Sequence, residues 1–190
     1  MNRCVLQLLS VLVAMLLAPW CLANSATESE DVAAIQTLFA NYMQKYNHYL
    51  VNQQLSAEPI LYADQVMLIS ASRGPSVLET EVLNKQVERF LSALKEKGVA
   101  SVRWEKVHVS LLGDTLALAS NVAVRYTEKG EVYNRVGATY YLFKTEQGWR
   151  ISAFSVHDAD KVLAYNQIDN QFLPRKGFSG YIAARERDPQ

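Results

Sequence analysis

Residues 100–157 read ASVRWEKVHVSLLGDTLALASNVAVRYTEKGEVYNRVGATYYLFKTEQGWRISAFSVH, and this run decides the fold. Apolar side chains alternate with polar ones over long stretches, the period-2 signature of strands with one face buried. Gly113-Asp114, Glu128-Lys129-Gly130 and Glu146-Gln147-Gly148 punctuate the run and leave strands of about ten residues. Consecutive long strands joined by tight turns predict an antiparallel meander.

Upstream, the periodicity changes to that of helices. Ile35, Leu38, Phe39, Tyr42, Tyr46 and Tyr49 recur every three or four residues, predicting a first helix over 30–49. Thr27-Glu28-Ser29-Glu30 has capping-box spacing at its start. Ser56-Ala57-Glu58-Pro59 predicts a short second helix ending near Tyr62, followed by a strand from Val66 to Ser70 and a break at Arg73-Gly74-Pro75. Thr80 is expected to cap a third helix with Leu83, Val87, Phe90, Leu91 and Leu94 on one side, closed by Lys95, Lys97 and Gly98. Helices placed before such a sheet imply an α+β domain, with about three helices laid across one sheet face.

The 190 residues carry 19 basic and 19 acidic side chains, and this balance argues against a general nucleic-acid binder, which needs a basic surplus. At 49% hydrophobic content the chain is also unlike a disordered one. Residues 1–23 have the layout of a signal peptide: Arg3, an apolar run from Val5 to Ala18, then Pro19 and the small-residue exit Cys21-Leu22-Ala23. The apolar run, of about 14 residues, is short of the roughly 20 that span a bilayer, which disfavours a membrane anchor. Trp20 before Cys21 disfavours a lipoprotein. Cleavage after Ala23 would remove both cysteines, Cys4 and Cys21, and leave no disulfide or thiol chemistry. The expected location is periplasmic or secreted, with a domain over 29–163 and a C-terminal extension over 164–190.

Three local features, in order, resemble the nuclear transport factor 2-like superfamily, which includes SnoaL-like and ketosteroid-isomerase-like proteins. Leu61-Tyr62-Ala63-Asp64 resembles the turn before that family's first strand. Gly113-Asp114-Thr115-Leu116-Ala117 resembles its Gly-Asp-x-x-Ala hairpin. Thr139 to Lys144 followed by Gln147-Gly148-Trp149-Arg150-Ile151 resembles its penultimate hairpin. The likeness covers about Asp31 to Asp158. It implies a curved sheet closed into a cone by the helices, a pocket inside, and a homodimer formed through the sheet.

The resemblance also implies where catalytic groups would stand. Isomerases of the family place a carboxylate base where this chain has Ser70, a tyrosine at about Tyr46, and an acid near Thr139. Two of the three are therefore replaced, and serine is a poor base near neutral pH. SnoaL-like members end the last strand with His two residues before Ser, whereas Ser155 and His157 stand in the reverse order here. An Arg common two residues before the position of Thr139 is Gly137, with Arg135 two residues earlier.

His157 beside Asp158 is a candidate base, since imidazole titrates near working pH. The blander reading is a strand-end histidine bonded to backbone. Strict alternation would put Trp149, Ile151, Ala153, Ser155 and His157 on one face. Tyr42, Tyr46 and Tyr49, with Tyr141 from the sheet, are expected to offer hydroxyls to a cavity or to fill the core, and Arg135 to bind a carboxylate or pair with a surface acid such as Glu131. Three scattered histidines, His48, His108 and His157, lack metal-ligand spacing, so no metal and no cofactor is expected. The expected function is binding of a small, largely apolar ligand without catalysis. Two alternatives stay open: a lyase, isomerase or hydrolase using His157 with Asp158 or Tyr46, and an assembly module with a filled cone.

Overall fold

The computed structural model describes residues 3–70 and 74–162, with side chains from Thr27 onward. The leader's side chains, Arg73 and the 164–190 extension lie outside the described residues. The elements are α1 (Arg3–Asn52), β1 (Tyr62–Ser70), β2 (Gly74–Glu79), α2 (Thr80–Glu96), β3 (Val99–Leu111), β4 (Leu116–Thr127), β5 (Val132–Thr145) and β6 (Gly148–His157). One six-stranded sheet has the order β2-β1-β6-β5-β4-β3. All three turns expected in the meander fall between consecutive strands. At Gly130, φ is +79°, which suits glycine, and its N–H donates to the Thr127 carbonyl.

Four details differ from expectation. The sheet is mixed, because β1 joins β6 in parallel while every other pair is antiparallel. Gly74-Pro75 opens β2, a strand that folds back on β1, where a break was expected.

There are two helices among the described residues, not three. The 53–61 segment is irregular, since Pro59 disfavours helical backbone at Glu58, and local bonds compete with a helix there. Ser56 Oγ donates to the Glu58 carbonyl at 2.6 Å, and Ile60 N–H donates to the Glu58 carboxylate at 3.1 Å. Lys45 Nζ fixes this segment to α1 by donating to the carbonyls of Ala57 (3.0 Å) and Pro59 (3.2 Å).

Caps also move. Thr27–Glu30 is inside α1 rather than at its start. Glu79 is the N-cap of α2, and the Thr80 hydroxyl instead donates to the Ala63 carbonyl. The C-terminal signal of α2 is as read: Gly98, at φ +82°, donates its N–H to Lys95 O. Lys95 Nζ reaches Leu50 O at 2.8 Å, joining the C-terminal ends of the two helices.

The core lies between the helices and one sheet face. Ile35 and Phe39 of α1, Leu91 of α2 and Val66, Ala119, Leu142 and Ile151 of the sheet are all buried. Two polar clamps fix α1 over that face. At one end the Asn47 amide donates to Val102 O and accepts from Val102 N–H, both at 2.8 Å. Because β3 is an edge strand, Asn47 supplies the backbone pairing that a further strand would give. At the other end Trp149 Nε1 donates to Asp31 Oδ1 at 3.0 Å, and Lys144 Nζ stands 2.6 Å from the same oxygen.

The Lys144 hydrogen bond, more than the opposing cost of burial, holds the Asp31 carboxyl below its usual range, with Trp149 adding to the effect. A carboxyl depressed in the folded state stabilises the fold above its unfolded pKa, about 3.9, and that contribution is lost as pH falls through the folded value. Asp31→Asn should lower stability near pH 7 by about 1–3 kcal/mol. It should also flatten the fall in urea midpoint below about pH 4. A variant with the wild-type acid profile would show that the clamp contributes nothing.

Gly137 of β5 faces His157 of β6. A methyl group placed on Gly137 would stand 2.5 Å from His157 Nδ1 and 2.6 Å from Asp158 O. Gly137→Ala should therefore cost about 1–3 kcal/mol in a denaturant melt. Adding His157→Ala should recover only part, because the Asp158 carbonyl remains in the way. An unchanged midpoint in Gly137→Ala would mean that the end of β6 moves freely.

Candidate functional site

Enclosed between α1, α2 and the inner sheet face is a cavity of about 290 Å³. Its placement follows from small residues under large ones. Ala123 and Ala138 leave room in the middle of β4 and β5, while Trp104, Tyr140 and Phe154 wall the space. Leu83, Val87, Phe90 and Leu94, from the stripe that predicted α2, close it from above. Phe90 and Val156 are substantially exposed and mark the open end, whereas Tyr42, Tyr46 and Tyr140 are buried at the closed end.

The tyrosines form a chain. Tyr42 Oη donates to Tyr46 Oη at 2.9 Å, and Tyr46 Oη lies 3.3 Å from Tyr62 Oη. The Tyr42 ring packs with Tyr46, at a centroid distance of 4.3 Å, and with Trp104 and Tyr140. Burial pushes the hydroxyls of Tyr46, Tyr62 and Tyr140 well above the ordinary phenol range, and Tyr42 pushes all three the same way. These groups are neutral hydrogen-bonding hydroxyls near neutral pH, not bases.

One cation reaches the cavity, Arg125 of β4. Its Nη1 donates to Asn134 Oδ1 at 3.3 Å, and its guanidinium carbon stands 5.0 Å from the centre of the Phe90 ring. No ion pair involves it among the described residues. Burial lowers its pKa, opposed by the surrounding tyrosines, Tyr42 first. Gln86 is the remaining polar side chain on the wall. None of the lining residues is Asp, Glu or His.

Of the residues nominated from sequence, Tyr42 and Tyr46 line the cavity, and Tyr49 is buried in the core but is not on its wall. Arg135, Tyr141 and His157 stand on the opposite face of the sheet. Arg135 and Tyr141 alternate with Val136, Ala138, Tyr140 and Leu142, the inward residues of β5. His157 is turned out by a β-bulge in β6, where Leu142 pairs with Ile151 and Tyr141 with Ala153, so Ser152 is an extra residue. Beyond it the inward set becomes Phe154 and Val156 rather than Ser155 and His157. Arg135 pairs with Glu105, not Glu131. Tyr141 is 52% exposed.

His157 Nδ1 bonds to the backbone oxygen of Asp158 at 2.9 Å, which requires a proton on Nδ1. Its Nε2 lies 2.9 Å from Thr139 Oγ1. The Asp158 carboxylate does not orient the ring, and Tyr46 is across the sheet from it. His48 contacts Asn52, and no cluster of three or more potential metal ligands occurs among the described residues.

The sequence reading passed over Tyr62, Arg125 and Asn121. Tyr62 is part of Leu61-Tyr62-Ala63-Asp64, whose local pattern does not mark the hydroxyl as a partner of Tyr46. Arg125 was hidden as one arginine among several on strands. Asn121, fully buried on the inner face between Ala119 and Ala123, has no partner for either side-chain polar atom among the described residues. An apolar strand interrupted by one Asn was the available signal.

Comparisons with known proteins agree with this architecture. The chain is similar in structure to an NTF2-like protein with a cystatin-like fold from Novosphingobium aromaticivorans, at 17% identity and a TM-score of 0.58, covering 74% of this chain and 89% of that one. It is also similar to a putative dehydratase from the NTF2-like family from Streptomyces avermitilis, at 18% identity and a TM-score of 0.50, covering 72% of this chain and 99% of that one. Identities this low speak for the fold alone. No curated protein matches the sequence significantly. The family described as NTF2-like protein (DUF6841) matches residues 29–159, most of the predicted domain, and the chain belongs to that family.

Proposed function

We propose that this protein binds a small, largely apolar molecule in the cavity between its helices and its sheet, without transforming it. The cavity itself carries the reading: about 290 Å³ of space behind an apolar wall, with hydroxyls at the closed end. A cavity of about 150 Å³ accommodates benzene, so the space suits a molecule of one or two rings. The lack of any carboxylate or imidazole on the wall supports binding over proton abstraction, and the phenols of Tyr46 and Tyr140, kept protonated by burial, are not free to take up a proton.

Export and homodimerisation belong to the same proposal. Residues 1–23 have the composition of a cleaved leader. On the outer sheet face, Met67, Ile69, Val77, Leu116, Tyr141 and Phe143 are all exposed, an apolar surface that a second copy would cover. Among the described residues no helix is long and apolar enough to cross a membrane.

Native mass spectrometry of the protein purified from its own host tests binding and processing together. The expected spectrum is a polypeptide beginning at Asn24 with a retained small molecule. Ala138→Phe, which fills the space between β5 and α2, should lose that mass while keeping a near wild-type melting temperature. A retained mass indifferent to Ala138→Phe would place the ligand elsewhere, and destabilisation by more than about 3 kcal/mol would mean the space is not there to fill.

For the outer face, light scattering should give a dimer for the wild-type protein and a monomer for Tyr141→Glu. A wild-type monomer at micromolar concentration would end the dimer proposal.

A further inference from the structure

Building on that binding reading, we infer that the cavity selects apolar monocarboxylates, with the carboxylate on Arg125 and the ring system against Tyr42, Tyr46 and Tyr140. A guanidinium presents five N–H donors. Among the described residues only Nη1 of Arg125 has an acceptor, the Asn134 side chain, and that bond is long. Phe90 covers one face of the group by a cation–π contact, which orients the fork but accepts none of its protons.

The other arginine contacts show what is unusual about this one. Arg135 is paired with Glu105 on the outer face, and Arg103 lies over Tyr126. Arg125 alone lines the cavity, where no acid shares the wall. A partly buried cation without a counter-charge is costly, and an incoming carboxylate answers it with two parallel hydrogen bonds. Its position near the open end, beside exposed Phe90, lets the charged end of a ligand stay close to water while the apolar end fills the space beneath. The buried hydroxyl chain of Tyr42, Tyr46 and Tyr62 can meet one polar substituent at the far end.

Size limits the class further. A space of about twice the volume that holds benzene excludes long fatty acids and sterol-sized molecules. One cation matches one negative charge, and a second carboxylate would be left among apolar side chains without a partner.

The test uses 2-naphthoate against 2-naphthalenemethanol, similar in shape and differing in charge, by calorimetric titration at pH 7. The wild-type protein should bind the anion at least about tenfold more tightly than the alcohol, the increment of one charge-assisted pair. Arg125→Met should erase that preference while leaving affinity for the alcohol within about twofold. Arg125→Lys, which keeps charge and loses the fork, should retain only part of it.

Equal affinity for both probes in the wild-type protein would overturn the inference and leave the cavity reading standing. Binding of neither probe would sink both. A preference for the anion that survives Arg125→Met would move its site off Arg125. The two-probe comparison on the wild-type protein decides the matter even if a variant fails to fold.

Discussion

The structure depends on one long helix being held across an open sheet by polar clamps at both ends of the contact. At Asn47 a side-chain amide completes the unpaired backbone of an edge strand. At Asp31 a buried carboxylate collects an indole N–H and an ammonium group from β6 and β5. Apolar burial alone would let the helix slide, because hydrophobic contact is non-directional. Two sets of directional bonds, on strands at different positions in the sheet, fix both position and rotation. Rotation matters most, because it aims Phe39, Tyr42 and Tyr46 at the sheet.

With α1 fixed, the space beneath it is set by side-chain size. Near Asp31 the interior is filled: Ile35, Phe39, Ala117, Ala119 and Leu142 belong to the buried core and form no part of the cavity wall. Further along, Ala123 and Ala138 are too small to reach α2. Trp104 and Tyr140 hold the margins apart by edge-to-face packing around Phe39, and the indole is itself anchored by donating to Phe39 O at 2.8 Å. A cavity of this kind remains open because its rim is rigid and aromatic, so collapse would break ring contacts to recover little area.

Much of this was legible in the sequence, and the exceptions have identifiable causes. The four long strands and their turns follow from alternation and from glycine placement, which are local properties. The apolar stripes of both helices are local too. The helix expected at Ser56 to Pro59 failed because local bonds and Lys45 captured that segment. β2 was missed because a Gly-Pro pair reads as a break, although Pro75 sits on an edge strand where a missing donor is tolerated. Most consequential was Ser152. One extra residue in β6 reversed the facing of everything after it, so Ser155 and His157 went out while Phe154 and Val156 went in. Nothing in Ile151-Ser152-Ala153 marks a bulge, because the device is a property of pairing with β5.

That reversal changes the chemistry available to the protein. With His157 outside, tied to the Asp158 backbone and to Thr139, the interior loses its most plausible proton-transfer group. What stays inside is one arginine and a set of phenols kept neutral by burial. Such a set offers charge and a pattern of hydrogen-bonding hydroxyls. Proton transfer in a dehydratase or isomerase rests on a positioned acid or base, and among the lining residues there is no carboxylate and no imidazole. The binding proposed above asks less of the same interior: an apolar volume for shape, a guanidinium fork for one anion, and buried hydroxyls for one polar substituent.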